Sequence, residues 1–302
     1  MAQYLVIREV IPGIRTYSCP FARMGIIPLG GRSTAVQLSD GKSVLVLAST
    51  PLTDATRNSV DELGTVKYII GPDAEHHLYI KEWKTAYPDA RVCGVQRTVE
   101  MSGVQVDGVW GRDENPLGDD PVVNADFRSE YVPGHTNKEV ALLHVPSKTL
   151  IQADLLFNLP AYEQYSLGGG KPTGGLMSFV FNPTKMNPHN TTHQSLVMTL
   201  AKDKNQVAQS VQVIDSWDFD RIIPCHGDVI ETQGKEAWRA AFKQFYDGIA
   251  AGKYAKYTPP AAASSAPAVS EPPAATVEVP APAVPQVAPE LAPIPGNLPA
   301  TL

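Results

Sequence analysis

Three cysteines in 302 residues, Cys19, Cys93 and Cys225, are too few and too scattered to staple a fold, and their scarcity fits a reducing compartment. Positive charge is also sparse. The 25 Lys and Arg are outnumbered by 31 Asp and Glu, giving a formal net charge of −6, and no Lys or Arg follows Lys256. A chain with that balance and no basic run offers little to a phosphate backbone, which argues against a nucleic-acid partner. No apolar run reaches the ~20 residues that a bilayer-spanning helix needs. The opening "MAQYLVIREV" has no basic flank leading into a long apolar core. The expectation is a soluble, cytoplasmic protein with no membrane partner.

Proline, by contrast, is plentiful, and it crowds toward the C-terminus. From Thr258 the chain reads "TPPAAASSAPAVSEPPAATVEVPAPAVPQVAPELAPIPGNLPATL", without aromatics or periodicity. Repeated prolines block helix and ladder pairing, and small side chains bury too little to offset ordering entropy. Residues 258–302 are therefore expected to form a disordered Pro/Ala-rich tail, with docking of a protein partner as its alternative role. Residues 1–257 read as one domain.

Within that domain short β-branched runs come first: "QYLVIREV", "IRTYSC", "STAVQLS" and "KSVLVLAS", the last two joined by the tight turn "SDGK". "TDATRNSVDELG" has a Thr or Asp cap and a Gly stop, and reads as a helix. "VKYII", then the helical "HLYIKEWKTAYPDA", then the strand "RVCGV" continue the alternation, which implies an α/β layer. Further strands are expected in "SEYVPG", "EVALLHV", "KTLIQA" and "DRIIPC". Helices are expected over 192–203 and 205–215, and "GKEAWRAAFKQFYDGIAAG" reads as one closing amphipathic helix. The Gly-, Pro- and Asn-rich stretch from Tyr162 to Asn190 reads as a long loop or lid.

The histidines carry the chemistry. "YIIGPDAEHHLYIKEW" ends a strand in a Gly-Pro turn and then supplies Asp73, Glu75, His76 and His77. Alone, that stretch fits a surface cap as well as it fits a metal site. Two other histidines share its context, His135 in "YVPGHTNKE" and His226 in "RIIPCHGD", and Asp154 interrupts the apolar "KTLIQADLLFNL". A buried carboxylate needs a partner, because leaving it unpaired costs several kcal/mol. Histidines and carboxylates gathered at strand ends are the donor set that Zn²⁺, Fe²⁺ or Mn²⁺ requires.

"VPGHT", Asp154 nineteen residues beyond His135, and "IIPCHGD" resemble the third, fourth and fifth signature motifs of the metallo-β-lactamase superfamily. "GRSTAVQLSDGKSVLVLAS" is similar to that fold's opening hairpin, so the resemblance spans most of residues 5–250. It looks like a divergent branch whose first motif reads Pro-Asn followed by a His-His pair, with Asp73 here at the Asn. The resemblance implies a four-layer αβ/βα sandwich with the site at strand ends between two packed sheets, covered by the Tyr162–Asn190 loop.

The superfamily's first motif is His-x-His-x-Asp-His. Placing His77 on its last histidine puts His76 on the Asp and leaves Pro72 and Ala74 where the first two histidines stand. The resemblance then implies that one metal position keeps only His135 and the bridging Asp154, while the other keeps His76, His77, Asp154 and His226. The expected cofactor is one divalent ion, zinc first, with iron or manganese as alternatives. Adjacent residues on a helix point ~100° apart, so His76 and His77 both reach one site only on a turn-like backbone.

The leading expectation is metal-dependent hydrolysis of a small-molecule substrate, in which the ion lowers the pKa of a bound water toward ~7. His76 cannot replace the family's water-orienting carboxylate, so Asp73 or Glu75 is expected as general base. Two other classes remain open. One ion with open positions also suits a mononuclear iron oxidoreductase. Loss of two ligand histidines suits a non-catalytic binding protein on the same fold.

Lesser features point elsewhere. "SLGGGKPTGG" lacks the residues of a phosphate loop. His189 and His193 fit a solvent-exposed helix start better than lid ligands, and His144 reads as structural. Cys225 reads as a buried inert thiol, with a ligand or an oxidation-sensitive cysteine as alternatives.

Overall fold

Valines and leucines alternate along "SVLVL", and that period of two assigns each side chain to a layer. In the computed structural model, which describes residues 4–173 and 182–258, Val44 and Val46 point to one side of the sheet and Leu45 and Leu47 to the other. The chain opens with the strands β1 (Val6–Ile11), β2 (Ile14–Cys19), the short hairpin β3 (Ala22–Arg23) and β4 (Ile27–Pro28), β5 (Gly31–Gln37) and β6 (Ser43–Leu47). Then come α1 (Asp54–Leu63), β7 (Thr65–Gly71), α2 (Ile80–Ala86), β8 (Arg91–Val95), α3 (Gln96–Met101) and β9 (Gly108–Trp110). The long strands of this half form a seven-stranded sheet, ordered β1-β2-β5-β6-β7-β8-β9 and parallel from β6 onward.

The second half begins with α4 (Pro121–Asp126) and continues through β10 (Phe127–Val132), β11 (Glu139–His144), β12 (Thr149–Gln152), α5 (Thr191–Leu200), α6 (Lys204–Asp215), β13 (Arg221–Pro224), α7 (Gly234–Ala241) and α8 (Lys243–Ala250). Its sheet has four strands in the order β10-β11-β12-β13, the last pair parallel. Leu45, Ile70, Val140, Leu142, Ile151 and Ile223 fill the space between the two sheets. The outer face of the first sheet packs Val46 and Ile69 against Val60 of α1 and Trp83 of α2. The outer face of the second packs Leu150 and Ile222 against Val197, Val211, Trp238 and Phe245 of α5 to α8. The layers are helix, sheet, sheet, helix, so the expected αβ/βα sandwich is what forms.

Local chemistry accounts for most element boundaries. Thr53 caps α1 by accepting from the Thr56 amide, and Gly64 ends it at φ 143, where a Cβ would lie 2.3 Å from the Lys42 carbonyl oxygen. The Asp40 carboxylate accepts from the amides of Lys42 and Ser43 and tightens the β5–β6 turn. Two expectations need correction. The helix expected from His77 starts at Ile80, because the residues before it are wound into a turn. The closing helix is two, broken at the buried Phe242, whose ring sits 4.3 Å from Trp238. The short α3, β9 and α4 were hidden by the Gly- and Asp-rich punctuation of 102–120. The tail lies outside the described residues except for Thr258. No helix of the described residues is long and apolar enough to cross a membrane.

Helix α5 carries a histidine that belongs to the core and not to the solvent-exposed helix start expected for it, because its ring caps the Phe157 amide. His193 is fully buried, its Nε2 accepts the Phe157 amide at 2.9 Å, and its Nδ1 has no partner. Burial holds its pKa down at about 4. The unfolded chain therefore binds a proton that the folded state refuses, and stability falls as pH drops from about 6.5 to about 4, by about 3 kcal/mol for this group. Denaturant titrations of the native protein and His193→Gln across that window should differ in slope, with the variant losing less stability on acidification. Parallel curves would disprove the assignment.

Candidate metal centre

Four strands of the sandwich end at one place. The loops after β7, β10, β12 and β13 carry Asp73 and His76, His135, Asp154, and Cys225 and His226. Two backbone hydrogen bonds bind the first of these loops to the second sheet: Val140 N–H donates to the Pro72 carbonyl at 2.8 Å, and Ala74 N–H to the Asn137 carbonyl at 2.9 Å.

Asp73 organises its own turn. Its Oδ1 accepts from the amides of Glu75 and His76 at 2.8 and 2.9 Å and from His76 Nδ1 at 2.8 Å. A carboxylate accepts, so Nδ1 of His76 carries the hydrogen and its Nε2 lone pair is left facing inward. Burial lowers the pKa of His76, but the Asp73 carboxylate, with Cys225 and Asp154, outweighs it, and the net shift is well upward. The pocket's field thus favours positive charge at this ring.

His226 is fixed in the same way from the other sheet. Its Nδ1 donates to the Gly30 carbonyl at 2.6 Å, and its ring is stacked between Phe21 and Phe157 at centroid distances of 6.0 and 5.7 Å. Its Nε2 therefore also presents a lone pair when neutral. Gly30 sits at φ 71, and any Cβ there would fall 2.0 Å from Gln164 Oε1, so only glycine places this carbonyl.

Asp154 completes the arrangement. Both oxygens of the buried Glu139 accept backbone amides, from Ala153 at 2.6 Å and Asp154 at 2.7 Å, and Asn137 donates to Asp154 Oδ2 at 2.6 Å. Oδ1 has no hydrogen-bond partner although it lies 3.2 Å from His226 Nε2, because the two atoms are out of line for one. Two atoms each about 2.0 Å from a shared tetrahedral ion would stand ~3.3 Å apart. A metal ion shared by the two atoms fits that spacing. Donor atoms of His76, Cys225 and His226, and separately of Asp73, His76 and Asp154, lie within 4.8 Å of one another.

Other expected site residues are placed differently. The His77 ring bonds back to the Ala74 carbonyl through Nδ1 at 2.9 Å, and it stands in neither donor group. The turn that lets His76 point inward sends its neighbour along the chain. His135 is buried, but its Nδ1 accepts the Asn137 amide at 3.3 Å, so its Nε2 carries a hydrogen with no partner rather than a lone pair. Glu75 lines the cavity above the cluster, half-exposed and 3.8 Å from Arg23. Asp73 lies under His76 and outside that lining. The cavity has a volume of about 310 Å³ and walls that include Phe21, Leu29, Leu78 and Tyr79 around His76, Asp154, Cys225 and His226. No described residue of the Tyr162–Asn190 stretch lines it, so the expected lid is not found there; residues 174–181 lie outside the described residues.

Glu163 and Gln164, at the start of that stretch, instead support the site. Gln164 donates to the Cys225 carbonyl at 2.7 Å and accepts the Gly227 amide at 2.9 Å. The fully buried Arg32 of β5 donates to the carbonyls of Pro224 and Gly227 at 2.7 and 2.6 Å and to Glu163 at 3.0 Å. Glu163 also pairs with Arg8 at 2.7 Å. Burial pushes the Glu163 pKa up, but Arg32 and its other donors bring it below the usual carboxylate range. Sequence reading passed over Arg32, whose one signal was a charge inside the apolar run "GRSTAV". Replacing it, Arg32→Met, leaves a carboxylate short of a partner and two buried carbonyls unpaired, and should cost about 3 kcal/mol or more. Adding Glu163→Gln should return part of that loss. A single variant within about 1 kcal/mol of the native protein in urea unfolding would show that the clamp is not structural.

No protein-family model and no curated protein matches the sequence. Solved structures do match in fold. A metallo-beta-lactamase from Erythrobacter litoralis is 13% identical, with 81% of this chain and 97% of that one covered at a TM-score of 0.52. One from Pontibacter korlensis is 12% identical, with coverage of 80% and 99% and a TM-score of 0.51. One from Hirschia baltica is 9% identical, with coverage of 84% and 99% and a TM-score of 0.50. With the layer order and the strand-end position of the cluster, these likenesses establish that the chain has the metallo-β-lactamase fold.

Proposed function

We propose that the protein is a metal-dependent hydrolase of small molecules with a mononuclear centre, in which His76, His226 and Asp154 hold one divalent ion, zinc first. The observation that carries this reading is the buried Asp154 Oδ1, unpartnered and 3.2 Å from the lone-pair nitrogen of His226. A bound divalent ion would supply an activated water near neutral pH and polarise a carbonyl or phosphoryl group.

The chain's own residues set the rest. Asp73 and the Gly30 carbonyl hold the tautomers that aim both Nε2 atoms into the cluster. Phe21 and Phe157 stack on the His226 ring, and Phe21, Leu29, Leu78 and Tyr79 give the cavity apolar walls. Glu75 is the carboxylate at the cavity able to take a proton from an attacking water, whereas Asp73 is a positioning residue with its Oδ1 fully engaged. A cavity of about 310 Å³ suits a small ligand.

One ion rather than two is supported by the chain around the other position. Pro72 and Ala74 offer no side-chain donor, and His135 presents a hydrogen instead of a lone pair.

Elemental mass spectrometry on untagged protein should find about one equivalent of zinc, manganese or iron per chain, lost in His226→Ala and Asp154→Asn and kept in His77→Ala. Turnover of lactone, thioester or phosphodiester panels should follow metal content and fall in Glu75→Gln without loss of the ion. Two tight equivalents would refute the mononuclear centre, and no metal after reconstitution would refute the function.

A further inference from the structure

We propose that Cys225 is a ligand of the same ion, so that the centre is a thiolate-bearing set of His76, Cys225 and His226 with Asp154 beside it. The inference rests on the metal-dependent reading above and deepens it by assigning the character of the site. Three observations converge on this thiol.

The first is where Cys225 is buried. It is 6% exposed, yet it belongs to none of the apolar clusters that fill the layers, whereas Cys93 is packed into the inter-sheet core. Cys225 instead lines the cavity with His76, Asp154 and His226. A cysteine acting as a small core hydrophobe would be surrounded by aliphatic side chains.

The second is what faces it. The donor atoms of His76, Cys225 and His226 lie within 4.8 Å of one another. Both imidazoles have their Nδ1 hydrogens committed elsewhere, to Asp73 and to Gly30, so two lone-pair nitrogens converge on the thiol. Beside them the buried Asp154 Oδ1 has no partner. Two imidazoles and one sulfur within reach of one another, with a carboxylate oxygen 3.2 Å from one of the ring nitrogens, form a donor set for a borderline-soft cation.

The third is how rigidly the backbone presents it. The Cys225 amide donates to the Gln152 carbonyl at 3.0 Å, and its carbonyl accepts from Gln164 at 2.7 Å. Arg32 grips the carbonyls on either side, those of Pro224 and Gly227. The thiol's own contact is weak, 3.4 Å from the Arg32 carbonyl oxygen. So much fixing of a backbone around one lightly engaged sulfur positions that sulfur.

On binding, the S–H bond breaks, its electron pair goes to the ion, and the proton leaves to buffer. A thiolate in the set favours zinc over manganese, and soft or borderline ions over hard ones.

The test uses full-length protein stripped by a chelator and titrated with Co²⁺, which reports ligand type by absorbance and needs no substrate. The native protein should develop a near-ultraviolet sulfur-to-cobalt charge-transfer band that saturates with the visible cobalt bands. Cys19→Ser and Cys93→Ser should keep the band. Cys225→Ser should lose it while retaining visible cobalt absorption, and its preference for Zn²⁺ over Mn²⁺ should shrink by on the order of ten-fold or more. If Cys225→Ser fails to fold, the band retained in both other variants still assigns the sulfur. Cobalt bound in a His226-dependent way without a charge-transfer band would overturn the inference and leave the proposed function standing. Loss of the band in Cys19→Ser would overturn it too. No cobalt binding by the native protein would overturn both.

Discussion

A guanidinium shut away from water holds the two halves of the sandwich in register where the chemistry would occur. Arg32 leaves the first sheet, ends its charge on Glu163, and spends its remaining donors on the carbonyls flanking Cys225 and His226. A buried charge is tolerable only when paired and fully hydrogen-bonded, so the four acceptors around Arg32 fix one another's positions. That constraint passes outward. The loop after β13 has one conformation, His226 can then reach only the Gly30 carbonyl, and the ring's other nitrogen is aimed by default. Asp73 performs the equivalent task on the first sheet's side with a single carboxylate oxygen.

The parts of this design that were legible in the sequence are those with short-range causes. Alternation along "SVLVL", the Thr53 cap, the Gly64 stop and the Asp40 turn each depend on residues within a few positions, and the layers followed from them. The strand-end context of Asp154 and His226 was also readable, because polar groups at the close of an apolar run must find partners. What escaped had no signature in the residue pattern. His76 and His77 are told apart by partners only three residues away, the Asp73 carboxylate for one ring and the Ala74 carbonyl for the other, through a turn whose winding the apolar periodicity does not announce. Likewise the segment after Tyr162 has the composition of a lid, yet Glu163 and Gln164 lie beneath the site, because their partners are 131 and 61 residues away. The break at Phe242, whose backbone at φ −98 and ψ 17 leaves the helical range, likewise interrupts an unbroken helical periodicity.

The competing readings differ in what they require of the buried polar atoms. A non-catalytic binding protein on this fold has no use for unpartnered donors and acceptors, and each costs about 1–3 kcal/mol in a buried position. Two unpartnered carboxylate oxygens lie at this one place, Asp73 Oδ2 and Asp154 Oδ1. Drift away from a metal site would relieve that cost by changes as small as Asp to Asn. Keeping the acceptors unpaired while locking both imidazole tautomers is an arrangement that gains from a cation and from nothing else inside the chain. An oxygen-activating iron centre would gain from the same cation, but it works with hard and imidazole donors and open positions. On the proposal that Cys225 is a ligand, the set would favour a redox-inert, thiophilic ion, and with it hydrolysis over oxygen chemistry. Were an ion bound as proposed, its binding energy would become folding energy for the loops that carry these residues, since it would be gained only when the three strand ends bearing His76, Asp154, and Cys225 with His226 are in place. On this view the absent first-motif histidines are less a loss of function than a narrowing to the one metal position that the Arg32 clamp can hold rigid.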